Sequence, residues 1–489
     1  MATVVLLGTF DTKGLEYAFL RDRIRADGCD VVLVDAGVTS ESTSESTLAD
    51  ITADAVAAAA GADRAALAAA GDRGPAIAAM TRGATTVIRR LHDEGRLDGI
   101  LGLGGSGGSS LISAAMRALP VGVPKLLVST MASGDTRPYV GTTDIAMLYP
   151  VVDIAGINGV SERVLANAAA AISAMARASA SFVSALPPKP RIGATMFGVT
   201  TPSVTVAREW LEAHGYEVLV FHANGAGGRS MEALLRAGVI EGSLDITTTE
   251  LADELIGGVL SAGPDRLVTA GALGLPQVVS LGALDMCNFG PKDTVPERFR
   301  ARNLDVHNAA VTLMRTTEAE CAELGRILAR KLNRATGPLT VFIPHGGLSM
   351  IATPGGPFHD PAADAALIRE LKAALRPDVE VVELATDIND PAFATAMAER
   401  LDEHYRAWAA AKATIASSAG GAWNGEQALA RRRRTIDEGG VLMSGVAATD
   451  RSATFPDAAD HRDHEAFQAN PPGGGCGPGA RPAAVVQQV

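Results

Sequence analysis

Short apolar runs alternate with amphipathic stretches from the first residues onward. That alternation predicts parallel strands covered by helices. Residues 3–7 and 31–34 read as strands, with a helix over 15–26 that Gly28 stops. A polar stretch at 39–47 and an alanine-rich region at 48–70 follow. A helix is then predicted at 76–94, a strand at 99–103, a helix at 109–118, a strand at 125–130 and a long helix at 158–180.

Leu186-Pro187-Pro188-Lys189-Pro190 breaks the pattern, because proline continues neither a helix nor a central strand. The pattern then restarts: a strand at 191–197, a helix at 202–213 and a strand at 217–221. Gly215 and the strand after it stand where Gly28 and its strand stand in the first half, which suggests a repeated βαβ start. Later strands are predicted at 243–246, 277–281, 339–343 and 379–384. Helices are predicted at 249–260, 316–333, 362–375 and 391–409. The fold expected is α/β: two Rossmann-like, doubly wound domains with mainly parallel sheets, over 1–186 and 191–409. Residues 410–489, with the run Arg431 to Arg434 and a Pro/Gly-rich end, read as a disordered C-terminal tail.

Composition narrows the function. The 489 residues are 47% hydrophobic and 20% charged, enough for packed cores. A formal net charge of -12 argues against a nucleic-acid partner, which needs a basic face. Cys29, Cys287, Cys321 and Cys476 are far apart, which fits a reducing cytoplasm and no structural zinc. No run spans a bilayer, and the opening MATVVLLGTFDTKG lacks the features of a signal peptide. A cytoplasmic protein with no membrane partner is expected, and a homo-oligomer.

The chemistry concentrates in loops that follow strands. Residues 98–119, DGILGLGGSGGSSLISAAMRAL, run from a strand through glycines into a helix. Gly102, Gly104 and Gly107 match G-x-G-x-x-G, with Gly105 and Ser106 between them, and Ser109 or Ser110 can cap the helix. Free amides and the helix dipole there favour an anion, typically a phosphate. The spacing also suits a tight turn with no ligand. A second such loop is Gly8-Thr9-Phe10-Asp11-Thr12-Lys13-Gly14. Lys13 can meet a phosphate, Thr9 and Thr12 can donate to it, and Asp11 suits magnesium or a ribose. Asp35 ends the second strand, where nucleotide folds place an acid on the ribose, though it can equally cap a turn. A third loop carries Thr130, Ser133 and Gly134.

The second half has its own candidates. Asn224, Gly227, Gly228 and Arg229 form a glycine loop before a helix, suited to an anionic substrate. Thr247 and Glu250 have capping-box spacing. His345 and His359 follow and precede predicted elements, as structural residues or as a base or metal site. No H-E-x-x-H pair occurs.

GTFDTKG at 8–14, STMASGDTRPYVGTTDI at 129–145 and DIAGINGVSERVLANAA at 153–169 resemble the Tm-one-like ATP-binding domain family. So do FHANGAGGRSMEALL at 221–235, LDITTTELADEL at 244–255 and VVSLGALDMCNFGPKDTVPERFRARNLDVHN at 278–308. The likeness runs from residue 1 to about 409, and the tail departs from it. It implies two Rossmann-like domains with ATP bound in the first, at 8–13 and 104–107 with 129–134 nearby. The function expected is ATP binding with Mg2+, with an enzymatic step on a small anionic metabolite held between the domains. A non-catalytic nucleotide-dependent protein-binding module and a phosphosugar or sugar-nucleotide enzyme are the alternatives.

Overall fold

The computed structural model describes residues 1–38 and 49–418. The polar stretch at 39–47, Cys476 and the arginine run lie outside the described residues.

The first half runs β1 (Thr3–Gly8), α1 (Phe10–Ala26), β2 (Asp30–Asp35), α2 (Ala53–Ala59), α3 (Arg64–Ala70), α4 (Arg73–Asp93) and β3 (Gly99–Gly104). It continues with α5 (Ser106–Arg117), β4 (Lys125–Ser129), α6 (Arg137–Val140), β5 (Ala146–Leu148) and α7 (Ser161–Ala180). Its five strands are all parallel, in the order β2-β1-β3-β4-β5. Val4, Val5, Leu6 and Leu7 of β1 are fully buried, because helices cover both faces of a central parallel strand. Each such side chain contributes about 1.5–3 kcal/mol. Val4, Leu6, Leu101 and Leu103 face α1 and α7, while Val5, Leu7 and Ile100 face α4 and α5.

The second half runs β6 (Arg191–Met196), α8 (Thr201–Ala213), β7 (Glu217–His222), α9 (Ala226–Arg236), β8 (Gly242–Thr247), α10 (Glu250–Ile256), α11 (Thr269–Ala272) and β9 (Gln277–Gly282). β10 (Met286–Phe289), β11 (Leu304–Asn308) and β12 (Val311–Arg315) form a separate antiparallel sheet, ordered β10-β12-β11. α12 (Glu318–Leu332), β13 (Leu339–Pro344), α13 (Pro361–Ala374), β14 (Glu380–Leu384) and α14 (Pro391–Ser418) complete the chain. The large sheet is parallel, ordered β14-β13-β9-β8-β6-β7.

Both halves thus open with the same strand arrangement. Arg191 pairs with Glu217 as Thr3 pairs with Asp30. Gly28 and Gly215, each just before the second strand of its half, have φ of +80° and +95°, which glycine adopts without strain.

Several boundaries shift. α5 begins at Ser106 and not at 109, with Gly105 as its N-cap and no side-chain cap. Ser109 is buried instead, bonded to the Gly104 carbonyl and to Ser129. The expected capping box at Thr247 and Glu250 does not form, because Thr247 ends β8 and Thr249 is the N-cap of α10. A capping box forms at Thr317 and Glu320 on α12. α14 continues through 410–418, where the sequence suggests a tail.

Candidate functional site

In the order β2-β1-β3-β4-β5 the chain leaves β1 toward one face and β3 toward the other, and ligands of open α/β sheets bind at such a divergence. The loop after β1 and the glycine turn after β3 both end there. The third loop joins them. Ser109 Oγ lies 2.6 Å from Ser129 Oγ, which accepts from the Met131 amide at 3.0 Å. This seats the turn of 3-10 helix Thr130–Ser133 beside Gly105, with Thr130 Oγ1 3.8 Å from where a Gly105 Cβ would stand. Ser133 and Gly134 are exposed at the rim.

Tyr17, which sequence reasoning missed, ties this crevice together. Its hydroxyl donates to the Leu7 carbonyl at 2.7 Å and accepts from the Leu103 amide at 2.8 Å. Burial pushes its pKa up, so the hydroxyl stays protonated.

The glycines divide into two groups. A Cβ on Gly8 would lie 1.8 Å from the Tyr17 hydroxyl, one on Gly102 2.5 Å from Ile112, and one on Gly104 2.6 Å from the Ser109 amide. Packing alone requires those three. Gly105 and Gly108 meet nothing closer than 3.8 Å and 3.6 Å, and Gly107 meets the tips of Arg73 at 3.3 Å and Ile77 at 3.6 Å. The protein gives no steric reason for glycine at 105 and 108, and at 107 only the flexible end of Arg73 would have to give way. Arg73, at the start of α4, is the second residue the sequence reading missed. It stands 34 positions before Gly107 and only the fold brings them together.

The first loop is less open than its sequence suggests. Residues from Phe10 onward form the opening turns of α1. Lys13 Nζ donates to the Ile154 carbonyl at 2.6 Å, which leaves it two further N–H donors. Thr9 and Thr12 hydroxyls lie 2.9 Å apart. Asp35 is 5% exposed, and its Oδ1 accepts from the Phe10 and Gly37 amides at 3.0 and 2.8 Å. Asp35 is therefore first a clamp on the β1 and β2 loops. Burial raises its pKa, and the nearby Asp11 carboxylate adds to the rise. Asp11 packs on Gly37, whose Cβ would meet it at 2.8 Å. The two acids are neighbours. Among the described residues no group of three or more His, Cys, Asp or Glu side chains is arranged to hold a metal.

The anion position expected at Asn224, Gly227, Gly228 and Arg229 is already filled. Glu250 Oε1 accepts from the Gly225 amide at 2.7 Å and from the Gly228 amide at 3.1 Å. A Cβ on Gly228 would collide with this carboxylate at 2.1 Å. Asn224 caps Gly227, and Arg229 donates to the Ser261 carbonyl at 2.8 Å. The loop amides are occupied by the protein's own carboxylate side chain. Glu250 in turn meets Arg266 at 2.7 Å, and buried Arg266 also contacts Asp245 at 2.5 Å and Glu232 at 3.5 Å.

The divergence point of the second sheet, between β6 and β8, is closed. Thr200 and Thr247 hydroxyls lie 2.7 Å apart across it. Phe197, Val199, Ala283, Ala352 and Phe358 pack over it as an apolar cluster. Two buried acids lie nearby in this half. Burial pushes Asp253 up to about 7 and Asp285 up to about 6. His345 and His359 line one cleft further along the sheet edge.

Among the described residues, no helix is long and apolar enough to cross a membrane. Cys29, Cys287 and Cys321 are free and buried.

The N-terminal domain of the Uncharacterised protein family (UPF0261) matches residues 2–181, and its C-terminal domain matches residues 189–405. A UPF0261 protein of Clostridium tetani is 51% identical over 399 residues, covering 81% of this chain and 98% of that protein. One from Rhizobium meliloti is 48% identical over 398 residues, covering 81% and 97%. The ToMV resistance protein Tm-1(GCR237) of Solanum lycopersicum is 46% identical over 324 residues, covering 65% of this chain and 43% of that protein. The chain is a Tm-one-like member of the UPF0261 family.

Proposed function

We propose that the crevice between β1 and β3 binds a nucleotide by its phosphates, with ATP and Mg2+ as the pair that best fits its groups. The observation that carries this reading is the room beside Gly105, where an added Cβ would meet nothing nearer than 3.8 Å, next to Gly107, where it would press mainly on the tip of Arg73 at 3.3 Å. The amides that open α5 supply donors and a positive dipole end to that space. Thr130 and Arg73 border it and add a hydroxyl and a guanidinium. Asp11, with Asp35 beside it, offers the one or two carboxylates that a phosphate-bound magnesium takes from protein. Magnesium there would neutralise phosphate charge.

Calorimetry with ATP and Mg2+ tests the reading. Gly105→Ala adds a methyl group that the apo protein accommodates, so its melting temperature should match the parent. ATP affinity should fall by about tenfold or more, equivalent to about 1.4 kcal/mol. Unchanged affinity in Gly105→Ala sinks the proposal. ADP release by the parent marks an ATP-dependent enzyme, and tight binding without turnover marks a binding module.

A further inference from the structure

A cleft of about 610 Å³ opens at the carboxyl ends of β13 and β14, against one face of α13. That volume suits a small metabolite. It lies on the second sheet and owes nothing to the nucleotide reading. Residues far apart in sequence meet on its walls: His345 from the end of β13, His359 from the loop before α13, Arg369 and Lys372 from α13, and Glu383 from β14. Ala365 and Ile368 give it an apolar side.

The acids of this cleft already have partners. Arg315 Nη2 donates to Asp364 Oδ1 at 2.6 Å from behind the wall. Glu383 takes both Lys372 and His345, with His345 Nε2 at 2.9 Å from Oε2. Those two neighbours hold Glu383 below the usual carboxylate range, so it is ionised and fixes the imidazole. A carboxylate on one ring nitrogen sets the other, Nδ1, as the atom left for a ligand. Arg369 is held only loosely, with Nε 3.4 Å from Glu370, whose other oxygen takes Arg326 at 2.8 Å. The charge left over in the cleft is therefore positive, and it is carried by a guanidinium suited to planar oxyanions.

We infer that this cleft binds a small organic anion, a carboxylate or phosphate group on an apolar body, with Arg369 answering its charge, Lys372 adding the N–H donors that Glu383 leaves it, and the Glu383-held His345 contacting it. This moves the anionic metabolite away from Arg229, whose loop Glu250 already fills. The apolar body would rest against Ala365 and Ile368.

Histidine-selective 13C NMR on the full chain tests the inference. Inorganic phosphate, phenyl phosphate and succinate serve as probes, and His345→Gln and His359→Gln assign the two ring signals. At least one probe should shift both rings with a dissociation constant tighter than about 5 mM. The combined variant R369A/K372A should weaken that binding by about tenfold or more. Preference for the phosphates over succinate, or the reverse, identifies the oxyanion. Binding by none of the three probes at that strength overturns the inference, as does undiminished binding in R369A/K372A. ATP affinity at the first sheet is a separate measurement that these substitutions should leave alone, so the two proposals fail independently.

Discussion

The Tyr17 hydroxyl lies 2.8 Å from the Leu103 amide, and the same oxygen reaches the Leu7 carbonyl at 2.7 Å. One side chain on α1 thereby joins the ends of β1 and β3 where the chain diverges. The contact also dictates glycine at position 8, since any Cβ there would overlap the hydroxyl.

Removing that oxygen in Tyr17→Phe leaves a buried amide and a buried carbonyl without it. The cost should be about 1–3 kcal/mol in urea unfolding. Gly8→Ala should cost at least as much by overpacking, about 1–3 kcal/mol. Combining it with Tyr17→Ala should recover part of that loss. A fully additive pair of costs would show that Gly8 is set by something other than Tyr17.

Arg266 pairs with Asp245, Glu250 and Glu232 in the buried cluster described above. Arg266→Met strands three buried carboxylates, so unfolding free energy should drop by about 3–5 kcal/mol. Glu232→Gln, which removes the longest of the three contacts, should cost less. Chemical denaturation of both variants checks the order. A neutral Arg266→Met would mean the acids are held by other groups.

Asp253 and Asp285 are pushed up to about 7 and about 6 by burial, against an unfolded value of about 3.9. Between those values the folded chain holds protons that the unfolded chain has released. The stability each contributes is therefore complete below about pH 4 and is lost as pH rises through its folded pKa. Asp253→Asn removes one such titration. Asn288 can turn its amide to accept from the new side chain, because its Oδ1 lacks a partner among the described residues. Relative to the parent, Asp253→Asn should gain stability from pH 4 to pH 7, by at most about 1.4 kcal/mol per pH unit. A pH-independent difference would place the Asp253 pKa in the ordinary range.

Lys13→Ala should act on the loop at 149–160 before it acts on any ligand. It removes the bond to the Ile154 carbonyl, and the neighbouring tie is the Gly156 amide to Glu16 Oε1 at 2.6 Å. Hydrogen exchange should quicken across residues 154–157, with a loss of about 1–2 kcal/mol of local protection. Unchanged exchange there, together with weakened ATP binding, would return Lys13 to the phosphate.

The alternation of apolar runs carried the two parallel sheets, since strands such as β1 and β3 are continuous apolar segments ended by glycine. The antiparallel sheet was not legible. β10, β11 and β12 have four or five residues each and mix Asn, His, Asp and Thr into the pattern. The glycine turn after β3 was visible as chemistry. Sequence alone could not separate Gly104, which packing demands, from Gly105, which it does not. Partner identity was the other blind spot. Glu250 stands 25 positions after Gly225, Tyr17 stands 86 before Leu103, and Lys13 stands 141 before Ile154. Composition and spacing say nothing about contacts of that range. The histidines were visible as reactive types, but only the fold places His345 against Glu383.

The apolar plug over β6 and β8 has a consequence for how two similar halves share labour. A duplicated scaffold offers two equivalent mouths, and here one has been mortared shut by Phe197, Phe358 and their neighbours. A molecule received in the cleft beside β13 and β14 would enter off-centre. The symmetry of the strands therefore does not extend to the chemistry, and a substitution in one mouth has no counterpart to be made in the other.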